Sequence, residues 1–163
     1  SQAFHHCYGI ETIGLRYFNV FGPRQDPESM YAAVIPLWIQ SLIKGQPCYI
    51  NGDGLNSRDF CYVDNVVQAN IQAALTQNSQ AIGEVFNIAC GKRTNLLDLY
   101  TLTKDYLGIE ETRQPIHREM REGDVKHSLA SIEKAQQFLG YAPAHSLEDG
   151  LKITAAWATS VAA

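Results

Sequence analysis

The 163-residue chain has no G-x-G-x-x-G. The turn that lets a backbone approach a pyrophosphate is therefore not in it. Gly52-Asp53-Gly54 is followed by Leu55, Asn56 and Ser57, and reads as a polar loop. There is no C-x-x-C either: Cys7, Cys48, Cys61 and Cys90 are widely spaced and read as reduced core thiols of a cytoplasmic protein. No block of like charge occurs. The 13 basic and 17 acidic residues are interspersed, and their formal net charge of -4 offers no field to nucleic acid or an anionic membrane. The apolar tail over 153–163 is too short to span a bilayer, and no signal peptide is visible. His5-His6-Cys7 invites a metal reading, but adjacent side chains on a helix do not converge, so no metal site is expected there.

What is present suits one domain with a core of its own, since 45% of residues are hydrophobic. A helix ends near Tyr8, stopped by Gly9. A strand is expected over 12–20. A helix follows over 31–44, with its first turn near Pro36 and Gly45 ending it. Short strands over 48–50 and 57–62 flank the Gly-rich turn. Asp64 opens a helix to Leu75, and 84–89 is a strand. Asn95 with Asp98 starts a helix to Leu107. An edge strand is expected over 115–119 and a helix over 131–139, ended by Gly140. Ser146 with Asp149 opens the last helix, to about Ser160. The alternation of strand and helix predicts the α/β class.

The most informative stretch is Leu15-Arg16-Tyr17-Phe18-Asn19-Val20-Phe21-Gly22-Pro23. It reads as a buried strand entering a tight turn, and Arg16 and Asn19 in it need partners. At the carboxyl end of a strand in an α/β protein, that partner is commonly a ligand. The nonamer resembles the sugar-nucleotide branch of the extended short-chain dehydrogenase/reductase family, the NAD-dependent epimerases and dehydratases. Three further blocks follow in family order: PESMYAAVIPLW over 27–38, YINGDGLNSRDFCY over 49–62 and REGDVKHS over 121–128. Within the family the pattern is most similar to bacterial UDP-N-acetylglucosamine 4-epimerases.

The resemblance implies the C-terminal part of such an enzyme over 1–163: the edge of a Rossmann sheet plus a small α/β substrate-binding domain. It implies NAD as cofactor, a UDP-sugar as ligand and a homodimeric parent. The family's NAD turn and its Y-x-x-x-K pair stand upstream of the Arg16 strand, so the chain alone is expected to be inactive. Tyr100 and Lys104 match Y-x-x-x-K but follow that strand. Ser41–Lys44 and Ser131–Lys134 match S-x-x-K without companion motifs and read as helix surface. The alternatives are a UDP-glucuronate epimerase or nucleotide-sugar dehydratase, or a non-catalytic UDP-sugar-binding module.

Residue by residue, the resemblance puts Arg58 and Arg121 on the diphosphate, where a planar guanidinium matches phosphate oxygens. A surface ion pair, Arg58 with Asp59 or Arg121 with Glu122, is the competing explanation. Arg113 and Arg118 lie outside the matched blocks and are expected to be surface pairs. Asp124 is implied at the ribose. Tyr49, Ile50 and Asn51 are implied as the uracil strand, with Ala33, Val34 and Trp38 lining the nucleotide. Asn19 is implied at the diphosphate or sugar; Tyr17, Phe18 and Val20 at the nicotinamide half of the cofactor. Ser128 matches the position that gates the sugar's C2 substituent. A small side chain there leaves room for an N-acetyl group.

Overall fold

The run over 12–20 forms two strands, not one, in the computed structural model, which describes residues 2–29, 33–110 and 114–162. Strand β1 is Gly14–Tyr17 and β2 is Val20–Phe21. Asn19 between them has φ +36°, a left-handed conformation that asparagine tolerates better than most residues. Asn19 Nδ2 donates to the carbonyl of Asp59 at 3.0 Å, and the carbonyl of Asn19 accepts from Cys61 N at 3.2 Å. The second expected strand, over 57–62, is likewise broken at Phe60 into β4 (Ser57–Asp59) and β5 (Cys61–Tyr62).

The remaining elements are α1 (Gln2–Tyr8), α2 (Val34–Ile43), β3 (Tyr49–Asn51), α3 (Val63–Leu75), β6 (Val85–Ile88), β7 (Arg93–Asn95), α4 (Leu96–Tyr106), β8 (Ile116–Arg118), α5 (Glu133–Leu139) and α6 (Leu147–Ala162). The expected helix over 31–44 begins at Val34 among the described residues. Pro36 then falls in the first turn, where a missing N–H costs no intrahelical bond. Strand β7 was not foreseen; it is three polar residues long.

Strand pairing joins distant parts of the chain. β1 pairs parallel with β6, β2 with β5, and β3 with β8; β4 pairs antiparallel with β7. The strands over 48–50 and 57–62 therefore do not form a hairpin with each other. Helix α3 carries the chain from β5 across to β6, and the result is the α/β class expected.

Two clusters make the core. Phe21, Ile35, Trp38, Ile50, Leu99 and Leu151 belong to the first, under α2, α4 and α6. Val66, Ala69, Phe86, Ile88, Ala135 and Tyr141 belong to the second, around β6, α3 and α5. The segment 60–62 is the wall between them. Phe60 and Tyr62 face the first cluster and Cys61 the second, because successive side chains of an extended segment alternate. Burial pushes the Tyr141 phenol up, and its neutral O–H donates to Ala89 O at 2.9 Å.

Helix ends follow local chemistry. Asn95 Oδ1 accepts from Asp98 N at 2.8 Å. Ser146 and Asp149 reciprocate: Asp149 N donates to Ser146 Oγ at 3.1 Å, and Ser146 N to Asp149 Oδ2 at 3.0 Å. Gly140, at φ +66°, ends α5 in the left-handed conformation.

Two expectations are corrected. The nonamer is not a buried strand: Arg16 and Asn19 are exposed, and Tyr17 is 49% exposed. The reason is that β1 pairs only with β6 among the described residues, which leaves its other edge open. Cys7 is exposed on α1, so only Cys48 and Cys61 are fully buried thiols and Cys90 is half-buried.

Gly150 lies within α6, where glycine normally weakens a helix. Here a Cβ would stand 2.7 Å from the Tyr62 ring and 2.8 Å from Phe21. Close approach of α6 to β2 and β5 decides the residue. Gly150→Ala should therefore destabilise the chain by about 1–3 kcal/mol, the usual cost of overpacking, despite alanine's higher helix propensity. Urea unfolding measures this, and a stabilised variant would refute the close-approach argument.

Candidate functional site

Alternation along β4 sets the site. Ser57 and Asp59 point inward and are buried, whereas Arg58 between them points out and is half-buried. Asp59 has no exposure. Its Oδ1 accepts from Cys90 N at 2.9 Å; its Oδ2 accepts from Gly91 N at 3.0 Å and Ala130 N at 3.4 Å. Desolvation raises its pKa and these backbone donors oppose that rise. The aspartate is thus occupied with backbone and is not the partner of Arg58.

That partner is Asp124. Arg58 Nη2 stands 2.5 Å from Asp124 Oδ1, and Nη1 donates to Ser57 O at 2.9 Å and Lys126 O at 3.3 Å. The segment carrying Asp124 is laid along β4. Ser57 N donates to Lys126 O at 2.9 Å, Ser128 N donates to Ser57 O at 3.0 Å, and Ser57 Oγ is 2.9 Å from His127 Nδ1.

Strand β3 supplies the facing wall. Ile50 is 1% exposed in the core, while Tyr49 and Asn51 point the other way. Trp38 is 3% exposed; its Nε1 donates to Tyr49 O at 3.2 Å and its ring stands edge-on to Tyr100 at 5.7 Å. Trp38 is a core residue that touches the cleft. The carbonyl of Tyr49 thus accepts one hydrogen bond from Trp38 and keeps a second lone pair. Tyr100 is 5% exposed in the first cluster and does not line the cleft.

These elements enclose a cleft of about 860 Å³. It brings together Asn19 and Val20 from the β1–β2 segment, and Ala33, Val34 and Trp38 from the start of α2. It adds Tyr49, Ile50 and Asn51, and then Arg58, Arg121 and Asp124. Three expected site residues do not line it. Tyr17 Oη donates to Asn70 Oδ1 at 3.0 Å; Phe18 packs against the second cluster; Ser128 is held by its backbone beside Ser57. Ser41 of the S-x-x-K match lines the cleft as well.

Among the described residues, one charged residue of the cleft was missed. Arg118 was expected in a surface ion pair, but its guanidinium carbon lies 3.3 Å from the Tyr49 ring centroid and the side chain lines the cleft. The signal was the edge strand expected over 115–119, which puts Ile116 and Arg118 on one face. The signal becomes useful only once β3 is known as the partner, with Asn51 opposite Arg118. Arg113 lies outside the described residues.

A second, apolar groove of about 260 Å³ lies between α2 and α6, with Lys44 as the only charged residue lining it among the described residues. It holds too few donors for an anionic ligand. Among the described residues no group of three or more His, Cys, Asp or Glu could hold a metal ion, and no helix is long and apolar enough to cross a membrane. His5 Nδ1 is 3.0 Å from the carbonyl of Ile10.

Residues 1–89 match the family described as NAD dependent epimerase/dehydratase. The chain is 38% identical over 156 residues to a putative UDP-glucose 4-epimerase of Methanocaldococcus jannaschii, covering 96% of this chain and 48% of that one. A UDP-glucose 4-epimerase of Thermotoga maritima, solved with UDP-glucose, superposes with TM-score 0.90 at 38% identity, over 98% of this chain and 50% of that one. A UDP-N-acetylglucosamine 4-epimerase of Methanobrevibacter ruminantium, solved with UDP-N-acetylmuramic acid, gives 0.88 at 39%, with the same two coverages of 98% and 50%. The chain spans about half the length of the relatives it matches.

Asp59→Asn tests what frames the cleft. An amide offers one acceptor oxygen, so its NH₂ would face backbone donors that the second carboxylate oxygen now satisfies. Unfolding in urea should show a loss of about 2–4 kcal/mol, from one or two buried donors left unpaired. A loss below about 0.5 kcal/mol would mean that these donors find other acceptors.

Proposed function

The chain belongs to the NAD dependent epimerase/dehydratase family, and from that premise we propose that it carries the UDP-sugar grip of a UDP-N-acetylglucosamine/UDP-N-acetylgalactosamine 4-epimerase. The observation that carries this reading is convergence. Arg58 shares one cleft with Arg121 and Asp124, more than sixty positions further along the chain, and with β3 and the start of α2.

A 4-epimerase must release the sugar enough to turn it over at C4 while holding the nucleotide. Binding energy from the remote diphosphate and base then supports positioning at the reacting carbon. Arg58 and Arg121 take the diphosphate, Asp124 the ribose hydroxyls, and Tyr49, Ile50 and Asn51 the base. Ala33, Val34 and Trp38 pack against the nucleotide from the first turn of α2, and Asn19 lies toward the diphosphate and sugar. The Arg58–Asp124 pair would open as the ligand's phosphate and hydroxyls replace the two partners.

Tyr17, Phe18 and Val20 are the residues that would lie against the nicotinamide half of NAD. They fit that part: Tyr17 is half-exposed near the carboxyl end of the parallel β1–β6 pair, where α/β folds hold ligands. Hydride exchange at C4 is the chemistry NAD supplies when bound. Ser128 lies on the segment that carries Asp124, and its small side chain favours an N-acetylated sugar.

Isothermal titration of UDP into the chain tests the grip, and an absence of binding would remove the reading. Arg121→Ala should weaken UDP by about 30–150-fold, corresponding to the roughly 2–3 kcal/mol of a charge-assisted phosphate contact.

Ser128→Tyr tests the gate separately. Affinity for UDP-N-acetylglucosamine should fall well below that for UDP-glucose, with UDP itself bound nearly as before, because a phenol fills the space an acetamido group needs. An unchanged preference between the two sugars would show that Ser128 does not face C2.

A further inference from the structure

The guanidinium of Arg118 is held over the Tyr49 ring, and no carboxylate claims its donors among the described residues. Its carbon lies 3.3 Å from the ring centroid, the geometry of a stacked cation–π contact. Stacking on a ring leaves the N–H donors pointing outward at the rim of the guanidinium. Among the described residues Asp124 is the sole acidic one lining the cleft, and Arg58 already pairs with it. Arg118 is exposed, so its outward donors face solvent in the cleft, where an acceptor on a ligand can replace water.

Register gives the ligand's part. Arg118 stands opposite Asn51 in the parallel β3–β8 pair and reaches back over Tyr49. Its neighbours are the residues read above as the base strand. Arg121 follows the end of β8, and Arg58 is on β4.

We propose that Arg118 reads the nucleobase: the rim of its Tyr49-stacked guanidinium donates a hydrogen bond to the C4 carbonyl of the base, which selects a pyrimidine with a carbonyl at C4 over one with an exocyclic amine there. The proposal rests on the reading of Tyr49–Asn51 as the base strand. A guanidinium is donor-only. It pairs with a ring carbonyl, and it faces another donor if that carbonyl is replaced by an amino group. A site built around such a bond rejects the analogue that cannot form it.

The test compares UDP and CDP, which share ribose, diphosphate and the C2 carbonyl and differ at C4 of the base, carbonyl against amine, and in the N3 proton that goes with it. Both are titrated into the chain and into Arg118→Ala, Arg118→Lys and Arg121→Ala. The wild type should bind UDP more tightly than CDP. Arg118→Ala should weaken UDP about tenfold and CDP little, bringing the ratio toward one. Arg118→Lys should behave like the alanine variant, because an ammonium has no plane for the ring to fix. Arg121→Ala should weaken both nucleotides alike and leave the ratio intact. Equal losses for both nucleotides in Arg118→Ala would place Arg118 on a group the two share, such as the phosphates, and overturn the proposal. No loss, or full function in Arg118→Lys, would overturn it as well. A wild type that binds UDP and CDP equally overturns this proposal alone, whereas a wild type that binds neither overturns the underlying reading and this proposal with it.

Discussion

A carboxylate sealed from water holds the frame of the cleft. Asp59 accepts backbone N–H groups from Cys90, Gly91 and Ala130, and its own carbonyl accepts from Asn19. Three distant stretches of chain thus meet at one residue. Burying a carboxylate is costly, and here the cost is offset only because preformed backbone donors converge on it. The neighbouring position benefits. With Asp59 fixed inward, β4 must turn Arg58 outward, and the segment 126–128, hydrogen-bonded along Ser57, brings Asp124 to it. The direction of the cleft's charged groups is in this sense set by a residue that does not line it.

The pairing of Arg58 with Asp124 joins two residues that the sequence assigned separately to a ligand. Their side chains are 18% and 34% exposed, so water screens the pair. A half-exposed ion pair contributes little, about 0–1 kcal/mol, and is easily exchanged for stronger partners. The pair keeps each group near its place without binding it there, which is what a cleft needs if its ligand is to displace an internal contact.

Elements governed by their own neighbours were legible. Asn95 with Asp98, Ser146 with Asp149 and Gly140 fixed helix ends because a cap involves residues three or four apart. The strands over 84–89 and 115–119 were visible too. Illegible were features decided by partners far along the chain. The break at Asn19 depends on Asp59, forty positions away. The nonamer looked buried from its residue types, yet β1 has one strand partner among the described residues. Arg118 looked ordinary because nothing near it in sequence reveals that Tyr49 lies beneath it. Most expected site residues reached the cleft because the motif blocks sit at strand ends and helix starts, which this topology gathers. Tyr17, Phe18 and Ser128 fall outside its lining.

The long-range pairing of the strands has a kinetic consequence. Gly14 lies beside Val85, and Tyr49 beside Ile116, so no parallel ladder can form until a large loop has closed. Closure entropy is lost before any contact compensates it, and such topologies fold slowly, on a scale of roughly milliseconds to seconds. Helices α4 and α6, capped by local residues, can form early; β1 must wait for β6. During that interval the apolar β1–β2 segment is unpaired, and a chain at high concentration can pair with a copy of itself instead. Refolding yield should accordingly fall as protein concentration rises, and a yield independent of concentration would show that the strands find their partners faster than neighbouring molecules do.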